Sequence, residues 1–117
     1  MRVLLVDDNP EFRALTRALV SAETRFEVVG EVGTGEDAVT AARDLNPDLI
    51  VMDVCLPGID GVESTRRILA EEPRRAVVLV SARPAEDQCG DGLADCGARG
   101  FVRKEDLDPA TLLALAG

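Results

Sequence analysis

Short apolar runs constrain the fold of this chain more than any other feature of its sequence. Four runs have the length of one β-strand, and each leads into a polar or charged residue: 2–6, 49–52, 76–80 and 100–103. A further strand is predicted over residues 26–32. Continuous apolar strands separated by helical patterns are typical of a parallel sheet that is buried on both faces. The sequence therefore predicts an α/β fold.

Helix signals fill the segments between these strands. Asn9 is a capping residue followed by Pro10, and Phe12, Leu15 and Leu19 have the spacing of a helix face, which we expect to lie against the sheet. The same signals predict helix starts at 34–37, 60 and 108–109, and helix ends at 46–47 and before Pro73. We expect five strands and five helices in one domain that spans residues 1–117.

The predicted fourth helix, within residues 84–95, has the weakest pattern. It contains Gly90 and Gly92, and its large apolar residue is Leu93. Each glycine in a helix interior costs about 1 kcal/mol relative to alanine. We therefore expect this helix to be short or irregular.

Polar residues follow the strands at one edge of the predicted sheet. Asp7 and Asp8 follow the first strand, Asp53 follows the third, Ser81 the fourth and Lys104 the fifth. The carboxyl ends of parallel strands meet at one edge, where ligands bind in open α/β sheets. Because clustered carboxylates repel each other, their grouping indicates a bound cation or a catalytic use.

Composition excludes several other functions. The net charge is −9, and no basic stripe appears, which argues against direct nucleic-acid binding by this domain. The chain has no histidine, so a histidine zinc site, a Ser-His-Asp triad and a phosphohistidine carrier are excluded. No apolar run approaches the roughly 20 residues of a membrane span. Three cysteines at no metal-binding spacing indicate reduced thiols, and we expect a cytoplasmic protein.

Four motifs together resemble the receiver domain of two-component response regulators. They are Asp7-Asp8, the segment from Met52 to Gly61, Ser81-Ala82 and the segment from Phe101 to Lys104. The segments 28–31 and 97–100 and the pair Lys104-Glu105 look most like the NarL/LuxR-type subgroup. The resemblance covers essentially the whole chain and implies a flavodoxin-like, doubly wound sheet with strand order 2-1-3-4-5.

The resemblance also implies the chemistry. Asp53 would accept a phosphoryl group from a sensor histidine kinase, with Lys104 and Ser81 binding the phosphoryl oxygens. Mg²⁺ would be bound by Asp8, Asp53 and the backbone carbonyl of Cys55, and by Asp7 through a water molecule. Such a domain catalyses only its own phosphorylation and dephosphorylation, so it is a signalling domain and not an enzyme acting on other substrates.

Phe101 would be a switch residue, because it lies where the family has an aromatic residue that changes position. We expect residues 84–96, the strand of Phe101 and the last helix to form a partner surface that responds to phosphorylation. That surface would serve an output domain or a homodimer. In a longer chain, a helix-turn-helix output domain is expected from the subgroup resemblance.

Each of these residues also has a structural interpretation. Asp7-Asp8 can cap the first helix, Asp53 can cap a turn, Lys104 can be a solvated surface residue and Phe101 can be core. A flavodoxin-like electron carrier is disfavoured because two aspartates would repel a flavin phosphate, and a haloacid-dehalogenase-type phosphatase because the first strand lacks an Asp-x-Asp pattern. The remaining alternative is a receiver-like interaction module that works without phosphorylation.

Overall fold

The structure, a computed structural model, describes residues 1–82 and 95–117. Within those ranges the chain forms five strands and four α-helices: β1 (Arg2–Val6), α1 (Pro10–Ser21), β2 (Glu27–Val32), α2 (Gly35–Leu45), β3 (Leu49–Asp53), α3 (Gly61–Glu71), β4 (Ala76–Ser81), β5 (Gly100–Arg103) and α4 (Pro109–Ala116). A 3-10 turn, Lys104–Asp106, joins β5 to α4. The helix predicted within residues 84–95 falls almost wholly outside the described residues, and α4 is the predicted C-terminal helix.

The five strands form one parallel sheet in the order β2-β1-β3-β4-β5. This order confirms the doubly wound, flavodoxin-like fold expected from the sequence. It also places the strand ends as predicted. Asp53 lies opposite Val80 in the register of β3 and β4, and Ser81 lies opposite Arg103 in that of β4 and β5.

Helices cover both faces of the sheet, which is why the strands are apolar without interruption. On one face, Val20 of α1 and Leu112 of α4 pack with side chains from the strands. On the other face, Ala38 of α2 and Ile68 of α3 do the same. All five residues of the central strand β3 are buried. No helix in the described ranges is long and apolar enough to cross a membrane.

The predicted capping residues start the helices. The side chain of Asn9 accepts hydrogen bonds from the backbone N–H groups of Glu11 and Phe12, at 2.9 and 3.2 Å. Thr34, Asp60 and Asp108 cap α2, α3 and α4 in the same manner. These bonds satisfy N–H groups that have no partner within the helix. The connections from β1 to α1 and from β2 to α2 are short, so these two helices begin close to the carboxyl edge of the sheet.

The inward face of α1 differs from the prediction. Leu15 was expected to lie against the sheet, but it is 56% exposed. Thr16 and Val20 are buried instead, and Phe12 is half-buried. The buried stripe therefore follows steps of four residues through Phe12, Thr16 and Val20. The sequence pattern missed it because a threonine was counted as a polar residue, whereas its methyl group can face the core.

Leu15→Ala and Leu112→Ala are a matched pair that tests this orientation. Leu112 is 1% exposed, so its truncation should lower the free energy of unfolding by about 2–5 kcal/mol. Truncation of exposed Leu15 should change that free energy by less than about 0.5 kcal/mol. Denaturant unfolding followed by circular dichroism measures both values, since the chain has no tryptophan or tyrosine. Equal losses of unfolding free energy in the two variants would indicate that Leu15 lies in the core.

Candidate functional site

Three carboxylates meet at the carboxyl edge of the sheet. Asp7 and Asp53 are buried, with 4% and 5% of their surface exposed, whereas Asp8 is exposed. Each residue offers one oxygen atom, and these oxygens all lie within 4.8 Å of one another. The structure thus brings together the three acids that the sequence singled out.

The loops after β1 and β3 hold the two buried carboxylates in the same way. Asp7 Oδ1 accepts the backbone N–H of Asn9 at 2.8 Å, and Asp53 Oδ1 accepts that of Cys55 at 3.3 Å. In both cases the donor is two residues further along the chain. The second oxygen of each carboxylate, Oδ2, is therefore the one that faces the centre of the site.

Lys104 places its ammonium group between these two Oδ2 atoms. Its Nζ lies 2.9 Å from Asp7 Oδ2 and 3.3 Å from Asp53 Oδ2. It also lies 4.2 Å from the centre of the Phe12 ring, over the ring face. The side chain is 16% exposed. The sequence predicted Lys104 at this edge of the sheet, but not its close pairing with Asp7 or its contact with Phe12.

Burial is the main cause of the raised pKa of Asp53, which lies at about 6 instead of 3.8. The negative charge of Asp7 raises it further, and Lys104 and the N–H of Cys55 offset only part of the effect. For Lys104, burial works against the charged form. The contacts with Asp7 and Asp53 outweigh it, so the pKa of the ammonium is raised above its ordinary value. Lys104 therefore stays charged at neutral pH.

Gly61, the first residue of α3, packs directly on the backbone of Asp53. Its N–H donates to the carbonyl of Val54 at 2.7 Å. A Cβ at this position would lie 2.1 Å from the carbonyl oxygen of Asp53, so only glycine fits. The sequence analysis quoted Gly61 as part of a motif but found no role for it. The sequence feature that could have indicated a role is a glycine at the first position of a helix, where alanine has the better helix propensity.

Arg13 is a second residue that the sequence analysis missed. Its Nη1 donates to the backbone carbonyl of Asp7 at 2.8 Å. Its Nε lies 3.4 Å from Glu31 Oε1 at the end of β2. Arg13 thereby ties the turn after β1 to the neighbouring strand. An arginine in an amphipathic helix gives no sequence signal for this contact, because the partner is a backbone oxygen.

The other predicted site residues lie around the acids. Ser81 is buried at the end of β4, next to the strand that carries Asp53. Phe101 is half-buried on β5 and packs on the sheet face that α2 and α3 cover. Cys55 is half-buried in the loop after Asp53, with its N–H turned back to that carboxylate. The roles of these three residues stay predictions.

The prediction of reduced cysteines is wrong for Cys55, which carries a disulfide bond. Cys96 is buried and is not part of a disulfide bond. An odd number of cysteines without a metal-binding spacing indicated reduced thiols. That argument fails because spacing along the sequence does not show which side chains meet in the fold.

The donor set of this site fits a small hard cation. Asp7 Oδ2 is buried and, apart from its ion pair with Lys104, receives no hydrogen bond from the part of the chain that the structure describes. Carboxylate oxygens are the ligands that Mg²⁺ prefers, and Mg²⁺ usually binds through one or two carboxylates plus waters and phosphate. A cation would also offset the repulsion that raises the pKa of Asp53.

Comparison with known proteins identifies the family. The sequence profile of the response regulator receiver domain matches residues 3–116. The chain belongs to that family. It is 41% identical over 105 residues to the response regulator GacA of Pseudomonas aeruginosa, a match that covers 89% of this chain and 48% of that protein. This receiver domain is therefore a phospho-acceptor signalling domain of the two-component type.

Other similar proteins include one that is named as an enzyme and one that is named as a response regulator. A protein-glutamate methylesterase/protein-glutamine glutaminase of Myxococcus xanthus is 46% identical over 79 residues, which cover 68% of this chain and 22% of that protein. A LuxR-family response regulator from an Aurantimonas species superposes with a TM-score of 0.81 at 32% identity, covering 97% of this chain and 79% of that one. The chain spans about half the length of GacA, or less in the case of the methylesterase.

The raised pKa of Asp53 predicts a pH-dependent stability effect. Between pH 3.8 and about 6 the folded state keeps a proton on Asp53 that the unfolded state has lost, so this contribution to stability falls as the pH rises. Above that range, the charged Asp53 destabilises the fold by at most about 3 kcal/mol. Asp53→Asn should therefore stabilise the metal-free protein more at pH 7.5 than at pH 4.5. Denaturant unfolding in chelator at both values measures this, and an equal gain at both would contradict the burial effect.

Proposed function

We propose that this chain accepts a phosphoryl group from a sensor histidine kinase on Asp53, in a reaction that depends on Mg²⁺. The observation that supports this most strongly is the environment of Asp53. Its carboxylate is buried, lies within reach of the acids Asp7 and Asp8, and has the ammonium of Lys104 at 3.3 Å. A buried carboxylate with two acids and one cation beside it is poorly suited to a purely structural role.

The reaction forms one bond and breaks another. A carboxylate oxygen of Asp53 forms the new P–O bond, while the bond between phosphorus and the imidazole nitrogen of the donor breaks. With a pKa of about 6, Asp53 is mainly ionised at neutral pH, so the nucleophile is available without a separate base. The ammonium of Lys104 and the hydroxyl of Ser81 would bind phosphoryl oxygens in the product.

Four groups would hold the metal. Asp8, Asp53 and the backbone carbonyl of Cys55 would bind Mg²⁺ directly, and Asp7 would bind one of its waters. When bound, Mg²⁺ neutralises charge on the phosphoryl oxygens.

The proposed consequence is a changed partner surface. Phosphorylation adds nearly two negative charges at Asp53 and would draw Ser81 and Lys104 towards it. Phe101 would then turn inward, and the surface formed by β5, α4 and the segment 84–96 would change. Residues 84–94 of that segment lie outside the described residues. An output domain, such as a DNA-binding one, or a second copy would bind there.

The remaining features of the proposal follow from the family. We propose one receiver domain over residues 1–117 that works in the cytoplasm and catalyses only its own phosphorylation and dephosphorylation. The profile match over residues 3–116 supports the domain bounds. The net charge of −9 supports the absence of direct nucleic-acid contact by this domain.

Phosphorylation with a small donor tests the acceptor. With acetyl phosphate and Mg²⁺, the protein should gain one phosphoryl group that hydroxylamine removes, because acyl phosphates react with that nucleophile. Asp53→Asn should lose this gain in mass. Asp44→Asn, an exposed aspartate on α2, is the matched control and should keep it. If Asp53→Asn is still phosphorylated to the same extent, the acceptor lies elsewhere, and if no variant is phosphorylated, an interaction module without phosphorylation becomes the better explanation.

Asp8→Asn tests the metal site. Removal of this ligand should weaken Mg²⁺ binding about tenfold or more, which is about 1.4 kcal/mol, and should slow phosphorylation. The metal-free variant should be more stable than the wild type, because one repelling charge is lost. Thermal melts followed by circular dichroism with and without Mg²⁺ measure both effects. Equal stabilisation of the two proteins by Mg²⁺ would remove Asp8 from the metal site.

A further inference from the structure

Phe12 contacts the site from a direction that none of the proposed catalytic groups uses. It lies in the first turn of α1, and its ring packs partly against the core on the α1 face of the sheet. The ammonium of Lys104 lies over the face of the same ring, 4.2 Å from its centre. One aromatic side chain thus belongs both to the core and to the acid cluster.

We propose that Phe12 is a positioning residue that holds the ammonium of Lys104 next to Asp53. This inference rests on the proposed phospho-acceptor function. Lys104 follows β5, yet its closest partner is Asp7 after β1, so the side chain extends across the ends of β4 and β3. A lysine is a point charge on a flexible stem, and two carboxylates alone do not fix its direction.

The ring supplies the restraint that the carboxylates lack. The face of an aromatic ring is negative, and it attracts a cation more strongly where water is excluded. Lys104 is only 16% exposed, so this condition is met. Asp7 Oδ2, Asp53 Oδ2 and the ring surround the ammonium group. From this position, a short movement of the ammonium would bring it to a phosphoryl oxygen on Asp53.

Hydrogen bonds in the first turn of α1 fix the position of the Phe12 ring. The N–H of Phe12 donates to the capping side chain of Asn9 at 3.2 Å. Its neighbour Arg13 donates to the carbonyl of Asp7 at 2.8 Å. Both bonds tie the first turn of α1 to the loop that carries the acids. The position of the ring is therefore coupled to that of Asp7.

A cavity of about 10 Å³ lies beside the ring and is lined in part by Asp7, Thr16 and Val80. Its volume is close to that of one water molecule. Truncation of Phe12 would enlarge it and could admit water to Asp7. A test of the ring must therefore change its electronic character while keeping its shape.

Fluorinated phenylalanines provide this test. One, two and three fluorine atoms at position 12 reduce the negative potential of the ring face stepwise with little change in shape. With acetyl phosphate and Mg²⁺, the rate of Asp53 phosphorylation should fall at each step, by about threefold to tenfold in total. The same series at Phe26, which is buried in the core on the same sheet face, is the control and should leave the rate unchanged.

Lys104 is the only lysine of the chain, which allows a direct second measurement. In protein labelled with ¹³C and ¹⁵N at lysine, one set of ε signals reports on Lys104 without an assignment step. The ring current of Phe12 should shift the ε-methylene protons upfield in metal-free wild type. Phe12→Leu should remove that shift, whereas Phe26→Leu should retain it. An unchanged signal in Phe12→Leu would contradict the contact between the ring and the ammonium on which this inference is based.

The two measurements separate failure of this inference from failure of the proposed function. If wild type is phosphorylated on Asp53 but the rate is the same across the Phe12 series, the positioning role is overturned and the acceptor role stands. If wild type takes up no phosphoryl group, the proposed function fails. In that case a Lys104 signal unchanged in Phe12→Leu also overturns this inference, and loss of the upfield shift supports the contact of the ring with the ammonium on which the inference is based.

Discussion

The ion pairs of Lys104 with Asp7 and Asp53 are the interaction on which the rest of the site depends. Two buried carboxylates next to each other are unfavourable unless a cation compensates them, and Lys104 provides that charge from within the chain. The strand order makes this possible, because β1 and β3 are neighbours and place the acids together, while β5 ends at the same edge. The short connection from β1 to α1 then holds Asp7 in place. Loss of the ammonium would leave two buried acids without the positive charge that now lies between them.

The compensation is incomplete, and this has a functional consequence. Even with Lys104 and the N–H of Cys55 in contact, burial and the charge of Asp7 keep the pKa of Asp53 at about 6. The fold thus tolerates a destabilising group at the end of its central strand. A core selected only for stability would have an apolar or hydrogen-bonding residue there. A site that binds a cation and then a phosphoryl group gains from the same arrangement, since each partner relieves part of the repulsion.

Much of this was predictable from the sequence, for physical reasons. A parallel sheet covered on both faces needs uninterrupted apolar strands, so the strands and their polar ends were visible, and with them Asp7, Asp8, Asp53 and Lys104. The roles of Gly61 and Arg13 were not predictable, because their partners are backbone oxygens of Asp53 and Asp7 that become close only in the folded chain. The disulfide bond of Cys55 was missed for a related reason. Contacts between distant segments leave no periodic signal.

The orientation of α1 places Phe12 where its ring contacts Lys104. With Leu15 facing the sheet, the first turn would direct Phe12 to a different place than it does with Thr16 and Val20 inside. The observed rotation leaves Leu15 in solvent and brings the Phe12 ring against Lys104. Packing of α1 and the position of the ammonium group are consequently two results of the same helix rotation.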